Sequence, residues 1–311
     1  MIHTIALDSS VLHSSYNRSY KPILTVNSGD TIQLKTLDIQ WGYSASPQEE
    51  RTIFTSREQE EKLAHPIIGP IAVSGAKPGM VLEVRTNKLV PGWYGRNWAG
   101  GAPAWQNDKL GITESDRLQV DWKLDAARMT GSCELGGKEF KVGLSPFLGL
   151  MAVAPKEEGS FPTKPPGYFG GNIDCKELVR GSSLFLPISV EGALFSLGDG
   201  HAVQGDGESS GTAIECPMDL VDITLIVHED MQLTMPRAHT PAGWITFGFD
   251  QDLNEAAAGA LAEMIAFMQK FYGISRTEAT ALSSVAVDLH VTQVVNGVKG
   301  VHAILPHGVL R

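Results

Sequence analysis

The chain closes with Leu289-His290-Val291-Thr292-Gln293-Val294-Val295, then Asn296-Gly297, and shortly after Val301-His302-Ala303-Ile304-Leu305. Asn-Gly between two runs rich in β-branched residues predicts a hairpin, because its turn needs two residues that tolerate positive φ. Just upstream the periodicity changes. From Leu253 to Tyr272 the chain is rich in Ala, Leu, Met and Glu, with Leu261, Ile265 and Met268 at helical spacing and Gly273 where a helix C-cap belongs. A second helix is predicted after Ser275, with Thr277 and Glu278 in its first turn and Ala281, Leu282 and Val285 along it. Before these helices the chain reads mostly as strands. Pro22 to Val26 is short and ends in Ser28-Gly29-Asp30. Thr31 to Leu37 alternates, with Ile32, Leu34 and Thr36 facing one way. Ile71 to Val73 leads through Pro78-Gly79 into Met80 to Val84, and Val221 to His228 is another β-branched run. The fold class this predicts is mainly β (α+β), with sandwich-like sheets and flanking C-terminal helices.

Three segments interrupt the pattern. Ser44 to Glu61 is polar and acidic and reads as a solvated excursion. Pro91 to Asn107 carries Trp93, Trp98 and Trp105 among glycines, which suits either a loop roofing a pocket or an aromatic loop packed on the core. Pro155 to Gly171 reads as a long surface connection. No composition shift divides the chain, so the expectation is one domain over 1–311, with room for two β-rich subdomains.

The bulk numbers narrow the class. A hydrophobic content of 42% over 311 residues suits an ordinary globular core, and a net charge of -10 argues against nucleic-acid or anionic-membrane partners. Cys133, Cys175 and Cys216 make no disulfide framework, which points to a reducing, cytoplasmic setting. No secretory signal and no transmembrane run is expected.

The densest chemistry lies in Gly198-Asp199-Gly200-His201-Ala202-Val203-Gln204-Gly205-Asp206-Gly207-Glu208. Residues i and i+2 of a strand share a face, so Asp199 pairs with His201, and Asp206 with Glu208. A carboxylate and a neutral imidazole on one face suit a divalent ion; a turn with solvated acids and a hydrogen-bonded His201 is the plain alternative. Asn172 and Asp174, after Gly170-Gly171, repeat the spacing. Asn172 could donate its side-chain amide to a substrate carbonyl and Asp174 could serve as ligand or acid/base, or Asp174 could simply cap the turn. Asp38 ends an alternating run, His65 precedes Pro66, and Glu215 faces the same way as Ala213. GxSxG, HExxH, Walker A and EF-hand patterns are absent, and Gly205-Asp206-Gly207 has no βαβ unit around it.

Taken together, these pieces resemble the acetamidase/formamidase family. The resemblance rests on His65-Pro66 with Gly69-Pro70, Pro78-Gly79, Pro146-Phe147-Leu148-Gly149 with Ala154-Pro155, and Pro165-Pro166-Gly167 leading to Gly170 to Asp174. It continues through Leu186-Pro187-Ile188, Gly192 to Phe195, the Gly198 to Glu208 loop, Pro236-Arg237, Thr246 to Phe249 and Val291 to Val295. It implies hydrolysis of a small linear amide to carboxylate and ammonia, a β-rich fold, and a homo-oligomer, expected as a dimer. The family's acid-rich positions carry onto Asp38, Asp174, Asp199, His201 and Glu208. Trp41-Gly42 after Asp38 and the Trp93 to Trp105 insert depart from the family pattern and leave bulkier amides or lactams open as substrates.

A divalent ion, zinc first and calcium as the alternative, would supply an activated water. In that scheme Asp199 and His201 are ligands, and Asp38 or His65 completes the set. Glu208 is the base with Asp174 as its rival, and Asn172 and Gln204 bind the substrate. Three other readings stand beside it: a metal-free amidase using Cys175, a non-catalytic sandwich that stacks a sugar or small polar ligand on Trp93, Trp98 and Trp105, and a structural calcium in the glycine loop.

Overall fold

The alternation after Gly29 becomes a strand over Asp30–Leu34, with Ile32 and Leu34 buried. This computed structural model describes residues 1–58 and 64–311. The strand ends earlier than its pattern: Thr36 has left the ladder, and its hydroxyl accepts from the Met218 amide at 3.0 Å. Asp30–Leu34 pairs with Met218–His228, which pairs along most of its length with Val81–Pro91. These three belong to a nine-stranded sheet ordered Ile2–Thr4, Asp30–Leu34, Met218–His228, Val81–Pro91, Ser183–Pro187, Arg237–His239, Gly243–Asp250, Val298–Pro306 and Asp288–Asn296. The pairings are antiparallel except at the Ile2–Thr4 edge.

A second sheet runs Gly170–Asn172, Phe147–Ala152, Phe195–His201, Ile67–Val73 and Leu12–His13, with Leu24–Val26 added beside Ile67–Val73. Its apolar face meets that of the large sheet. Ile32, Leu82, Val84, Val221, Ile223 and Leu225 share one core with Ile68, Ile71, Leu148, Phe195 and Leu197. This is the sandwich the strand patterning predicts. The fold is mainly β with C-terminal helices, as expected from the sequence.

The aromatic segment takes neither expected form as a whole. Tyr94–Ala99 is the first strand of a four-stranded meander, and helix α1 (Trp105–Leu110) follows. Trp93 Nε1 donates to the Ser44 carbonyl at 3.1 Å, Arg117 lies over Trp98, and Lys299 lies over Trp105. Three indoles already engaged in different contacts make a poor stacking platform. The 155–171 segment runs over the surface, but Thr163 turns fully inward. In the polar excursion, Thr52–Ile53 pairs with Gly42–Tyr43. Its Glu60 and Glu61 lie outside the described residues.

The helices form where the periodicity places them. Helix α2 (Leu253–Tyr272) is N-capped by Asp252, whose side chain accepts from the Asn254 amide, and ends at Gly273 with φ of 68°. Helix α3 (Arg276–Ala286) starts with a capping box between Ser275 and Glu278. Ala256, Ala260, Met264 and Met268 of α2 bury against Val301, Ala303 and Leu305 of the terminal hairpin. Each large apolar side chain buried there contributes roughly 1.5–3 kcal/mol. The hairpin turns at Gly297, with Asn296 opposite Val298, so its second strand begins earlier than Val301.

Close approach of α2 to the sheet depends on Gly248. A Cβ there would lie 2.0 Å from the Ala256 carbonyl oxygen and 2.5 Å from the Ala260 nitrogen. Both obstacles are backbone, so the helix must shift. Gly248→Ala is expected to cost about 1–3 kcal/mol, read as a lowered urea midpoint with an intact active site.

Candidate active site

Phe195–His201 delivers Asp199 and His201 to one end of the second sheet, where neighbouring strands bring in further acids. Glu215 is bridged to both His201 and Arg96 through the backbone. Asp174 follows the Gly170–Asn172 strand, and Glu208 closes the glycine loop. Three of these acids hold left-handed backbone conformations: Asp174 at φ 55°, Asp199 at 58° and Glu208 at 47°. Such conformations cost an ordinary residue of order 1 kcal/mol or more and persist where surrounding structure imposes them.

His201 lies at the centre. Its Nε2 is 3.2 Å from both Asp199 Oδ2 and Glu215 Oε2, and its Nδ1 is 4.0 Å from Asp174 Oδ1. None of these contacts has hydrogen-bond geometry: both imidazole nitrogens, Asp174 Oδ1, Asp199 Oδ1, Glu208 Oε2 and Glu215 Oε2 are buried without a hydrogen-bond partner. The groups fall into two sets that share the imidazole: Asp174, His201 and Glu208, and Asp199, His201 and Glu215. In each set the ligand atoms lie within 4.8 Å of one another.

The electrostatics are unbalanced. Burial pushes Asp174 and Glu215 up to about 7, with His201 pulling down and neighbouring acids pushing further up. Burial and Asp174 raise Glu208 well above the carboxylate range. Burial also raises Asp199, but His201 and His65 outweigh it and hold Asp199 down. Burial works against a charged His201, yet Glu215 and Asp199 raise it well above the usual imidazole value. Four buried carboxylates around one imidazole call for added positive charge. The fit to a divalent cation is good on three counts: oxygen and imidazole donors, unpartnered lone pairs, and space. The space comes from Gly149, where a Cβ would stand 2.5 Å from Asp174 Oδ1, 2.6 Å from Asp199 Oδ2 and 2.8 Å from His201 Cε1.

Beside the cluster is a cavity of about 190 Å³. Asp199, Glu208 and Glu215 line its floor with Asn172 and His65, and Gln106 of α1 and Lys164 also reach it. Ile39 and Val295 supply apolar wall. A larger groove of about 920 Å³ lies against α2, lined by Trp244, Phe267 and Phe271. None of the buried site acids reaches it, so the smaller cavity is the one placed for chemistry.

The expected site residues separate into two groups. Asp174, Asp199, His201 and Glu208 converge, and Asn172 joins them on the cavity wall with its Oδ1 unpartnered. His65 faces the cavity, with its Nδ1 2.9 Å from Thr163 Oγ1, and it belongs to neither ligand set. Gln204 does not line the cavity. Its Nε2 donates to the Asp174 carbonyl at 2.8 Å and so braces that turn.

Asp38 is a correction. Its Oδ1 accepts from Arg51 Nη2 at 2.6 Å and from the Gln40 and Gly42 amides, and its Oδ2 accepts from Arg51 Nε at 2.7 Å and Tyr94 OH at 2.8 Å. Five donors leave it no lone pair for a metal. It anchors the turn whose next residue, Ile39, forms cavity wall. Asp38→Ala is expected to cost about 2 kcal/mol or more by stranding the partly buried Arg51. Metal content per chain should be unchanged; a drop in metal would return Asp38 to the ligand set.

Two contributors escaped the sequence reading. Nothing in the sequence around Glu215 beyond its shared face with Ala213 marks it as a partner of His201. Asn296, read as a turn residue, donates from Nδ2 to Asp174 Oδ2 at 2.5 Å. The Cys175 thiol is fully buried, raised by burial, and off the cavity wall, so the geometry gives a cysteine mechanism no support.

Architecture and site together describe a β-sandwich protein with a buried carboxylate–imidazole centre at the end of one sheet. Residues 157–310 match the model of the acetamidase/formamidase family. The crystal structure of an acetamidase from Bacillus halodurans superposes with a TM-score of 0.82 at 27% identity, over 97% of each chain. A 46-residue stretch, 15% of this chain and 11% of the relative, is 56% identical to the acetamidase of Mycolicibacterium smegmatis. A Schizosaccharomyces pombe protein assigned by name as a formamidase is 23% identical over 64% of this chain, and the match spans 60% of that relative's length. Over its C-terminal half the chain matches the acetamidase/formamidase family, and along nearly its whole length it shares the fold of a solved acetamidase.

Proposed function

We propose that this protein hydrolyses a small linear amide, of the formamide or acetamide class, to carboxylate and ammonia in the cavity beside His201. One observation carries the reading: an imidazole shared by two sets of buried, unpartnered carboxylates, with the missing Cβ of Gly149 leaving room among them. The family match over residues 157–310 supports the choice of amide. A cavity of about 190 Å³ supports a small one, since drug-sized ligands occupy roughly 300–1,000 Å³.

Asp199, His201 and Glu215 would hold a divalent ion, zinc before calcium, on the Nε2 side of the imidazole, with Asp174 and Glu208 on its other side. Such an ion, when bound, polarises a carbonyl and lowers the pKa of water. The chain does the rest. Asn172 Oδ1 accepts an N–H of the substrate amide and sets its orientation. Glu208, on the cavity floor, takes the proton of the attacking water and returns it to the departing nitrogen. Asp174, held by Asn296, stays fixed behind Glu208. Ile39 and Val295 enclose the acyl group, so acyl length limits turnover.

Ammonia release from formamide, acetamide, propionamide and butyramide by zinc-reconstituted protein tests this. Turnover should fall steeply beyond the shortest acyl groups. No ammonia from any of the four would end the proposal. The same reading carries the expectation of a cytoplasmic homo-oligomer, a dimer first, which sedimentation and fractionation check. No helix among the described residues is long and apolar enough to cross a membrane.

A further inference from the structure

A second cluster of ligating groups lies outside the cavity, on the terminal hairpin. His290 and His302 are direct partners across its two strands, and their rings stack 5.0 Å apart, 7° from parallel. Asp206 of the glycine loop reaches them, with its Oδ2 3.0 Å from His290 Nδ1. One ligand atom from each of the three lies within 4.8 Å of the others. His302 is fully buried. Its Nδ1 is 2.7 Å from Thr292 Oγ1, and its Nε2 has no hydrogen-bond partner. A histidine ligand shows this arrangement, one nitrogen oriented by a hydroxyl and the other free.

We propose that Asp206, His290 and His302 form a second divalent-metal site, of the zinc type, separate from the carboxylate centre at His201. Two imidazoles and one carboxylate leave a fourth tetrahedral position, suited to water or an exchangeable ligand. One group competes: Lys176 Nζ sits 2.7 Å from Asp206 Oδ2, and a cation arriving there displaces it.

The place of this cluster gives it a consequence. Asp206 and Lys176 stand two residues from Glu208 and Asp174 in the same loops. The glycine loop is stitched to the hairpin by Gly207 N donating to Thr292 O at 3.0 Å and Val294 N donating to Gly207 O at 3.2 Å. An ion at Asp206 therefore clamps the loop carrying Glu208 onto the strand carrying Asn296. It acts as a positioning metal and does not touch substrate.

The test is a titration of chelator-stripped full-length protein with Zn2+, and with Co2+ read by its visible absorption. The parent should bind one equivalent more than His290→Asn or Asp206→Asn, both partly exposed positions where the fold should survive. Lys176→Met should tighten that equivalent about fivefold, the factor a surface ion pair carries when it no longer has to break. His201→Ala should keep the His290-dependent equivalent, which separates this site from the one in the cavity. Equal stoichiometry and affinity in the parent, His290→Asn and Asp206→Asn, each folded by circular dichroism, would overturn the proposal whatever becomes of the amidase activity.

Discussion

Gly149→Ala is expected to lower kcat/KM for formamide by about a hundredfold or more, with little change in fold. The added methyl projects between Asp174, Asp199 and His201, at 2.5 to 2.8 Å from each. Two of those neighbours cannot retreat easily, because Asp174 and Asp199 already hold left-handed backbone conformations imposed by their surroundings. The residue itself has no strained backbone to lose, since it lies inside the regular strand Phe147–Ala152. The damage is therefore confined to donor spacing, where a displacement of about 1 Å costs roughly 10² in rate. Kinetics, metal per chain and melting temperature, measured together, check this. Parental turnover in the alanine variant would place the reacting atoms elsewhere.

His201→Ala carries the other large effect. It removes the donor common to both sets, so bound metal at the cavity should fall toward zero and turnover by about 10³ or more. That factor corresponds to the several kcal/mol a Lewis-acidic ion supplies to such a reaction, at 1.36 kcal/mol per decade. Chelation of the parent should reproduce the loss, and Zn2+ or Ca2+ should restore activity to the parent but not to the variant. Stripping the metal should also lower the melting temperature, because buried carboxylates then repel without a counter-charge. Full turnover by a protein with no bound metal would remove the ion from the reaction. It would leave Glu208 and Asp174 as a carboxylate pair working alone.

Most of the architecture was legible from local signals. Alternation around Ile32 and Leu34, the Asn296-Gly297 turn, the Ala- and Met-rich run ending at Gly273 and the Ser275–Glu278 pair all act within a few residues, and each formed as predicted. The same-face rule brought Asp199 to His201 and Asn172 toward Asp174. The resemblance, not the alternation, offered Asp38 as a ligand, and Arg51 folds back across a short hairpin to take both of its carboxylate oxygens. The same-face rule was silent on Glu215, because the bridge to His201 depends on a pairing between segments with no shared period. The Gly149 motif was legible only as part of a family resemblance; its steric meaning needed three strands in place.

Side-chain periodicity, turn chemistry and helix caps determined from the sequence alone that this is a sandwich of β-sheets with a helical end, and that acids and imidazoles crowd the glycine loop. Local patterns encode such features because each depends on neighbours along the chain. Only the tertiary structure decided which acids share His201, that Asp38 is neutralised by Arg51, that Gln204 supports Asp174, and that Asp206 meets two histidines of the hairpin. Those are meetings across large sequence separations, set by how the sheets stack and how closely one backbone lets another approach.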